Sequence, residues 1–175
     1  GFNIYYKDVT KPKSEAIKID SDILIYTVNT STTTVTYIKG DERNLYQYKI
    51  GQDSKDKIAS DVRRFEVSDD GKNIGYINFE NSIYLHYAGE EKEKIASDVS
   101  SLERITEDFK TVYYTKDGSL YKQEKGADKE KIASDVYKVL RIYDSGEIYY
   151  LASDSEEVSL MNYVIDDMKD ADNSI

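Results

Sequence analysis

The six residues KIASDV occur three times without change, at Lys57 to Val62, Lys94 to Val99 and Lys131 to Val136. The two spacings are 94 − 57 = 37 and 131 − 94 = 37. A degenerate copy, KIDSDI, runs from Lys18 to Ile23, 57 − 18 = 39 residues upstream. A catalytic motif is needed once per active site, so a phrase returning at a fixed interval specifies architecture. Periods of about 20–50 residues belong to solenoids, propellers and arrays, whose units bury their apolar faces against one another.

Each phrase follows two short segments in which apolar and polar residues alternate, the period of a half-buried strand. TVTYI and NLYQY precede the first identical copy, NIGYI and SIYLHY the second, TVYYT and SLYKQ the third. Gly40-Asp41, Asp70-Gly71 and Asp117-Gly118 supply turn chemistry that separates the strand segments. The chain then re-enters β-branched and aromatic residues, as in ILIYTV at Ile23 to Val28 and RFEVS at Arg64 to Ser68. The fold class predicted is all-β, a β-propeller-like array of about four four-stranded units.

The units are placed at residues 1–22 (partial), 23–62, 63–99, 100–136 and 137–165 (partial), with an acidic tail at 166–175, all within one domain spanning 1–175. In this scheme the repeated phrase is the last strand of one unit and the step into the next. Ile58, Ile95 and Ile132 fill one equivalent layer between units, and Val62, Val99 and Val136 enter the following sheet. Asp61, Asp98 and Asp135 are expected to accept backbone N–H groups at the step, as short Asx side chains do. One competing fold is a strand-strand-helix repeat, because Ile95, Val99, Leu102 and Ile105 fall at helical spacing. ILIYTV, at the equivalent place in the first unit, is too rich in β-branched residues for a helix.

Composition narrows the function. Tyr contributes 17 residues against 4 Phe and no Trp; a large ring with a polar tip suits thin layers close to the surface. Equivalent strand positions make these tyrosines core layers, with ring stacking on sugars or peptides the functional alternative. A net charge of −10 repels phosphate backbones and anionic lipid, so neither nucleic acid nor membrane insertion is expected of this domain. Without cysteine there is neither disulfide nor thiolate metal site. The chain opens on Gly1 and not on Met, as expected of a processed protein or a piece of a longer one.

FEVSDDGKNIGYI, Phe65 to Ile77, resembles the β-propeller repeat of the TolB type, whose blades carry a Ser-x-Asp-Gly-Lys turn before a strand. Ser68, Asp70, Gly71 and Lys72 match that pattern, and Asp69 stands where the family has Pro. The stretch Val112 to Val136 is similar to bacterial propellers of unknown function related to the low-density-lipoprotein-receptor type. In the third unit Phe109 stands where the turn glycine belongs, and DSGE at Asp144 to Glu147 lacks the Lys. The resemblance implies a propeller scaffold in the ligand-facing, extracytoplasmic part of a secreted or membrane-anchored protein, and brings no catalytic residues with it.

The ends read as parts of units: NIYYK (Asn3 to Lys7) as a third strand, Lys18 to Asp22 as a fourth, and the last unit as about three strands ending in SLMNYV, Ser159 to Val164. Closure of a ring by both termini, membership of a larger ring, and edge-to-edge association of two chains are all compatible with unpaired sheet edges.

The chemical constellations are sparse. His86, the only histidine, has no partner at catalytic or metal spacing and is expected as a surface strand residue. DDMKDADNS, Asp166 to Ser174, lacks the central Gly and distant Glu of a calcium loop. Asp69 and Asp70 belong to a turn. Neither a Gly-x-Ser-x-Gly elbow nor a phosphate-cradling glycine loop is present. The expectation is a binding or sensing module without enzymatic activity or cofactor, presenting loops to a protein, peptide or cell-wall glycan. The alternatives are a glycan- or peptide-processing hydrolase on the same scaffold and a structural oligomerisation spacer.

Overall fold

A computed structural model describes residues 1–11 and 13–152. SLMNYV and the acidic tail lie outside the described residues. Among those described, every regular element is a β-strand: β1 (Phe2–Tyr6), β2 (Ile17–Asn29), β3 (Thr34–Lys39), β4 (Asn44–Lys49), β5 (Asp56–Ala59), β6 (Val62–Val67), β7 (Ile74–Asn78), β8 (Ile83–His86), β9 (Glu93–Ala96), β10 (Ser101–Ile105), β11 (Thr111–Lys116), β12 (Ser119–Glu124), β13 (Glu130–Ala133), β14 (Val136–Ile142) and β15 (Ile148–Ala152). All pairing is antiparallel, in sheets ordered β1-β2-β3-β4-β5, β6-β7-β8-β9, β10-β11-β12-β13 and β14-β15. The segment open to a helical reading forms β9 and β10, so the helical spacing of Ile95, Val99, Leu102 and Ile105 is coincidental.

The long strand β2 serves two layers. Residues 17–20 pair with β1 and residues 23–29 with β3, Ile23 facing both Phe2 of β1 and Lys39 of β3, and Asp22 before it has φ 59°. Three complete four-stranded sheets result: I (residues 23–29 of β2, with β3 to β5), II (β6 to β9) and III (β10 to β13). A half-sheet flanks them at each end, β1 with residues 17–20 at one and β14–β15 at the other.

The phrase KIASDV ends each complete sheet and leads into the next. Its Asp has φ 59°, 54° and 56° at Asp61, Asp98 and Asp135, a left-handed conformation that Asp adopts at lower cost than a β-branched residue. What the three positions share is this backbone conformation. The N–H of the following Val goes to a backbone carbonyl in each case, Val62 to Arg43 O at 3.1 Å, Val99 to Asn81 O at 3.0 Å and Val136 to Gly118 O at 2.7 Å. The Asp98 carboxylate lies 3.6 Å from Lys116 Nζ.

The Lys of the phrase is explained by its cross-strand partner. Lys57, Lys94 and Lys131 face Tyr46, Tyr84 and Tyr121 in register, and Nζ lies 5.8 Å from the ring centroid both for Lys94 on Tyr84 and for Lys131 on Tyr121. Each of these rings stacks on a buried tyrosine of the neighbouring strand: Tyr37 on Tyr46 at 5.9 Å, Tyr76 on Tyr84 at 5.2 Å and Tyr114 on Tyr121 at 5.5 Å. Exposed cation–π contacts contribute about 0.5–1 kcal/mol. Lys94→Ala is expected to lower the denaturant midpoint by that small amount, and an unchanged midpoint would remove the contact as the reason for the lysine.

Sheets I and II share one apolar layer: Ile38, Leu45 and Ala59 against Val62, Ile74 and Tyr76. Sheets II and III share another, in which Ile83, Leu85 and Ile95 meet Leu102, Phe109 and Val112. Arginines bond across to the next first strand, Arg64 Nη1 to Leu102 O at 3.2 Å and Arg104 Nη1 to Ile142 O at 3.0 Å. Ile95 is buried, and Ile58 and Ile132 are half-buried, so the equivalent layer exists but deepens toward the centre of the array.

Candidate functional site

The turn joining the first two strands is built identically in sheets II and III. Ser68 Oγ donates to Asp70 Oδ1 at 2.6 Å, Lys72 N donates to the same oxygen at 3.0 Å, and Asn73 N donates to Ser68 Oγ at 2.9 Å. Thr106, Asp108, Lys110 and Thr111 repeat the circuit at 2.7, 3.0 and 3.0 Å. The hydroxyl of Ser68 and then the Lys72 N–H hold the Asp70 carboxyl below its usual range, and Thr106 and Lys110 do the same for Asp108. Phe109 takes the place of Gly71 with φ 57° against 72°. Left-handed backbone is unfavourable for a bulky residue, and the burial of the Phe109 ring in the layer between sheets II and III offsets that strain.

That difference is one of three that leave a site open at the preceding junction. Between sheets I and II lies a cleft of about 480 Å³ near this turn, whose lining includes Gln47, Lys49, Lys57, Lys72, Asp56 and His86. In the repeat register Gln47 corresponds to Leu85, since Thr36 faces Gln47 as Gly75 faces Leu85; Lys49 then corresponds to Tyr87. At the junction of sheets II and III the equivalent space is filled by Leu85, Tyr87 and Phe109, all buried in one cluster. Tyr87 OH donates to Phe109 O at 2.7 Å; at the open junction Gln47 Nε2 donates to Gly71 O at 2.9 Å. The same carbonyl is captured both times, once by a ring that fills the space and once by an amide that leaves it free.

Three lysines and an imidazole converge on the cleft against the carboxylates Asp56 and Asp70. In a chain of net charge −10 this is a local reversal of sign. Such a lining can hold a polar ligand carrying a carboxylate, with Gln47, Gln52 and Thr34 as hydrogen-bonding partners for hydroxyl or amide groups. Among the described residues no three His, Asp or Glu side chains gather as metal ligands.

His86 sits on a strand as its sequence predicts, at the end of β8, but it is half-buried and lines the cleft, where the sequence places it on open surface. Asp69 and Asp70 serve a turn. Tyr37, Tyr76 and Tyr114 form core layers. Sequence reasoning missed the cleft itself. The signal was available in the differences between copies, Gly71 against Phe109 and Lys49 against Tyr87, because identical positions only report the scaffold.

A second site absent from the sequence reading is the buried carboxylate of Asp20, in the degenerate phrase where the other copies have Ala. It accepts from Tyr37 OH at 2.8 Å and from Lys39 Nζ at 2.5 Å, and Lys55 Nζ lies 3.0 Å away. Compared with known proteins, the chain matches no family model and no curated protein.

Proposed function

We propose that the chain is a β-propeller-like repeat domain of the TolB kind that binds ligands without transforming them, in an extracytoplasmic setting. The sequential face-to-face packing of four-stranded antiparallel sheets supports the scaffold. The cleft between sheets I and II supports the binding role, and its fill-in by Phe109 and Tyr87 one junction later is the observation that carries it. Its charge favours the acidic arm of a cell-wall glycan or peptide over a neutral ligand. Among the described residues no hydrogen bond ties His86 to a hydroxyl or carboxylate, so binding has more support than catalysis.

The single histidine makes the test selective, because its imidazole is the sole such signal in the proton spectrum. Soluble peptidoglycan fragments bearing free carboxylates are expected to shift the His86 resonances saturably. Lys49→Tyr, which copies the filled junction, should abolish the shift; Lys49→Gln, which only removes charge, should weaken it. Saturable shifts that persist in Lys49→Tyr would remove the cleft as the site, and no shift in the wild type would remove the glycan reading.

A further inference from the structure

The chain carries its own bound carboxylate, and a later junction repeats the donors around it without the acid. Asp20, third residue of the degenerate phrase, is held by Tyr37 OH at 2.8 Å, Lys39 Nζ at 2.5 Å, Lys55 Nζ at 3.0 Å and Ser21 N at 2.8 Å. The strand register carries each donor to a position at the junction of sheets II and III. Tyr37 faces Tyr46 as Tyr114 faces Tyr121, so Tyr114 stands for Tyr37 and Lys116, two residues on, for Lys39. Lys57 faces Tyr46 as Lys131 faces Tyr121, so Lys129, two residues before Lys131, stands for Lys55. In the phrase that precedes sheet III, Ser97 stands for Ser21 and Ala96 for Asp20.

A cleft of about 460 Å³ brings these residues together, its lining including Ala96, Ser97, Tyr114, Lys116 and Lys129, with Asp98. Lys116 lies at the same depth as Lys39, its side chain 26% exposed against 27%. Its Nζ donates to Ser97 O at 2.9 Å and lies 3.6 Å from the exposed Asp98 carboxylate. Lys129 rests over the Tyr121 ring, 5.3 Å from its centroid, a weak contact for an exposed residue. The Tyr114 hydroxyl is the decisive member. Tyr114 is 1% exposed, yet no hydrogen bond reaches its hydroxyl among the described residues, whereas that of the equally buried Tyr37 donates to Asp20. Between sheets I and II the set is incomplete: Asn78 takes the place of Lys116, and its Oδ1 accepts from Ser82 N at 2.8 Å.

We propose that the cleft between sheets II and III binds a carboxylate supplied by a ligand, a small organic acid or the acidic side chain of a peptide, in the place that Asp20 fills two junctions earlier. Tyr114 OH, Lys116 Nζ, Lys129 Nζ and Ser97 N–H are its donors. Hydrogen bonds from ammonium groups to a carboxylate are shorter and stronger than neutral ones, and an ammonium has three N–H groups, so Lys116 can keep its bond to Ser97 O while it takes up the ligand. The volume beyond the missing carboxyl holds the rest of the molecule. This site lies one junction away from the cleft lined by His86 and is independent of what that cleft holds.

Ala96→Asp tests the donors from within. At neutral pH it is expected to raise the denaturant midpoint above that of the wild type, and the rise should disappear when Lys116→Asn, the residue of the preceding junction, is added. Sodium acetate supplies the same group from outside. Against sodium chloride of equal ionic strength it should raise the wild-type midpoint, because a ligand of the folded state stabilises it. That effect should be lost in Ala96→Asp, where the place is filled, and in Lys116→Asn, and it should weaken in Tyr114→Phe, which keeps the stacked ring. A blocked tripeptide with a central Glu separates the two sources: a response at lower concentration than acetate assigns the site to acidic peptides, and a response to acetate alone assigns it to small acids. An acetate effect of equal size in the wild type and all three single variants is a general salt effect or binding elsewhere, and it would overturn the proposal. So would a wild type that does not respond to acetate, or an Ala96→Asp variant less stable than the wild type.

Discussion

Ile95→Asp is expected to unfold the domain. Ile95 is 7% exposed in the layer between sheets II and III, and the substitution removes its apolar contacts while burying a carboxylate among Leu102, Phe109 and Val112. Large-to-small changes at buried Ile cost about 2–5 kcal/mol, and an unpaired buried charge adds several more unless it takes up a proton. The sum rivals the whole stability of a domain this size, about 5–15 kcal/mol. Denaturant titration followed by circular dichroism should show lost β-structure without denaturant. Ile58→Asp and Ile132→Asp, at equivalent but half-buried positions, should retain a transition at a lowered midpoint. Equal midpoints for all three variants and the wild type would mean that the sheets share no common interior.

That gradation marks where the sequence was legible. An identical hexapeptide reported an identical backbone task, and the strand order, the sheet boundaries and the tyrosine layers followed from it. It could not report depth, because Ile58, Ile95 and Ile132 are the same letter in junctions of different completeness. The left-handed Asp was hidden for a similar reason. An Asx side chain at a turn suggests a hydrogen-bond acceptor, and only the backbone angles reveal that tolerance of positive φ is the shared property. Phe109 looked like a departure from the Ser-x-Asp-Gly-Lys turn, yet Thr106, Asp108 and Lys110 rebuild the circuit of Ser68, Asp70 and Lys72 bond for bond. The turn is therefore defined by its polar residues, and the position that varies, together with Gln47 or Leu85 and Lys49 or Tyr87, decides whether the junction behind it is full or open. Sites lie in what distinguishes the copies, and a search tuned to what unites them passes over Gly71, Lys49 and Asp20.

Asp20→Ala sets two general expectations against each other. Restoring a repeat's consensus residue commonly stabilises a protein by about 0.5–2 kcal/mol, and Ala is what the three identical copies carry. The structure predicts the opposite sign. Asp20 is 8% exposed and ties the N-terminal half-sheet to Tyr37 and Lys39 of β3 and to Lys55 beside β5. Its removal orphans the buried Tyr37 hydroxyl and leaves two ammonium groups facing each other. Both lysines are partly solvated, so the ion pairs themselves contribute modestly; with the lost hydrogen bonds, the expected cost is about 2–4 kcal/mol. Its pH dependence identifies the cause. Burial pushes the Asp20 carboxyl upward, but Lys39, Lys55, the Ser21 N–H and Tyr37 together pull it well below the ordinary value of 3.8. The unfolded chain thus binds the proton more readily, and the contribution is complete above the unfolded value and is lost as pH falls toward the depressed folded one. The midpoint difference between wild type and variant should accordingly be flat above about pH 5 and shrink under acid. A variant more stable than the wild type at neutral pH, or a difference that grows under acid, would show that the array needs only the consensus phrase at this step and that the buried carboxylate adds nothing to it.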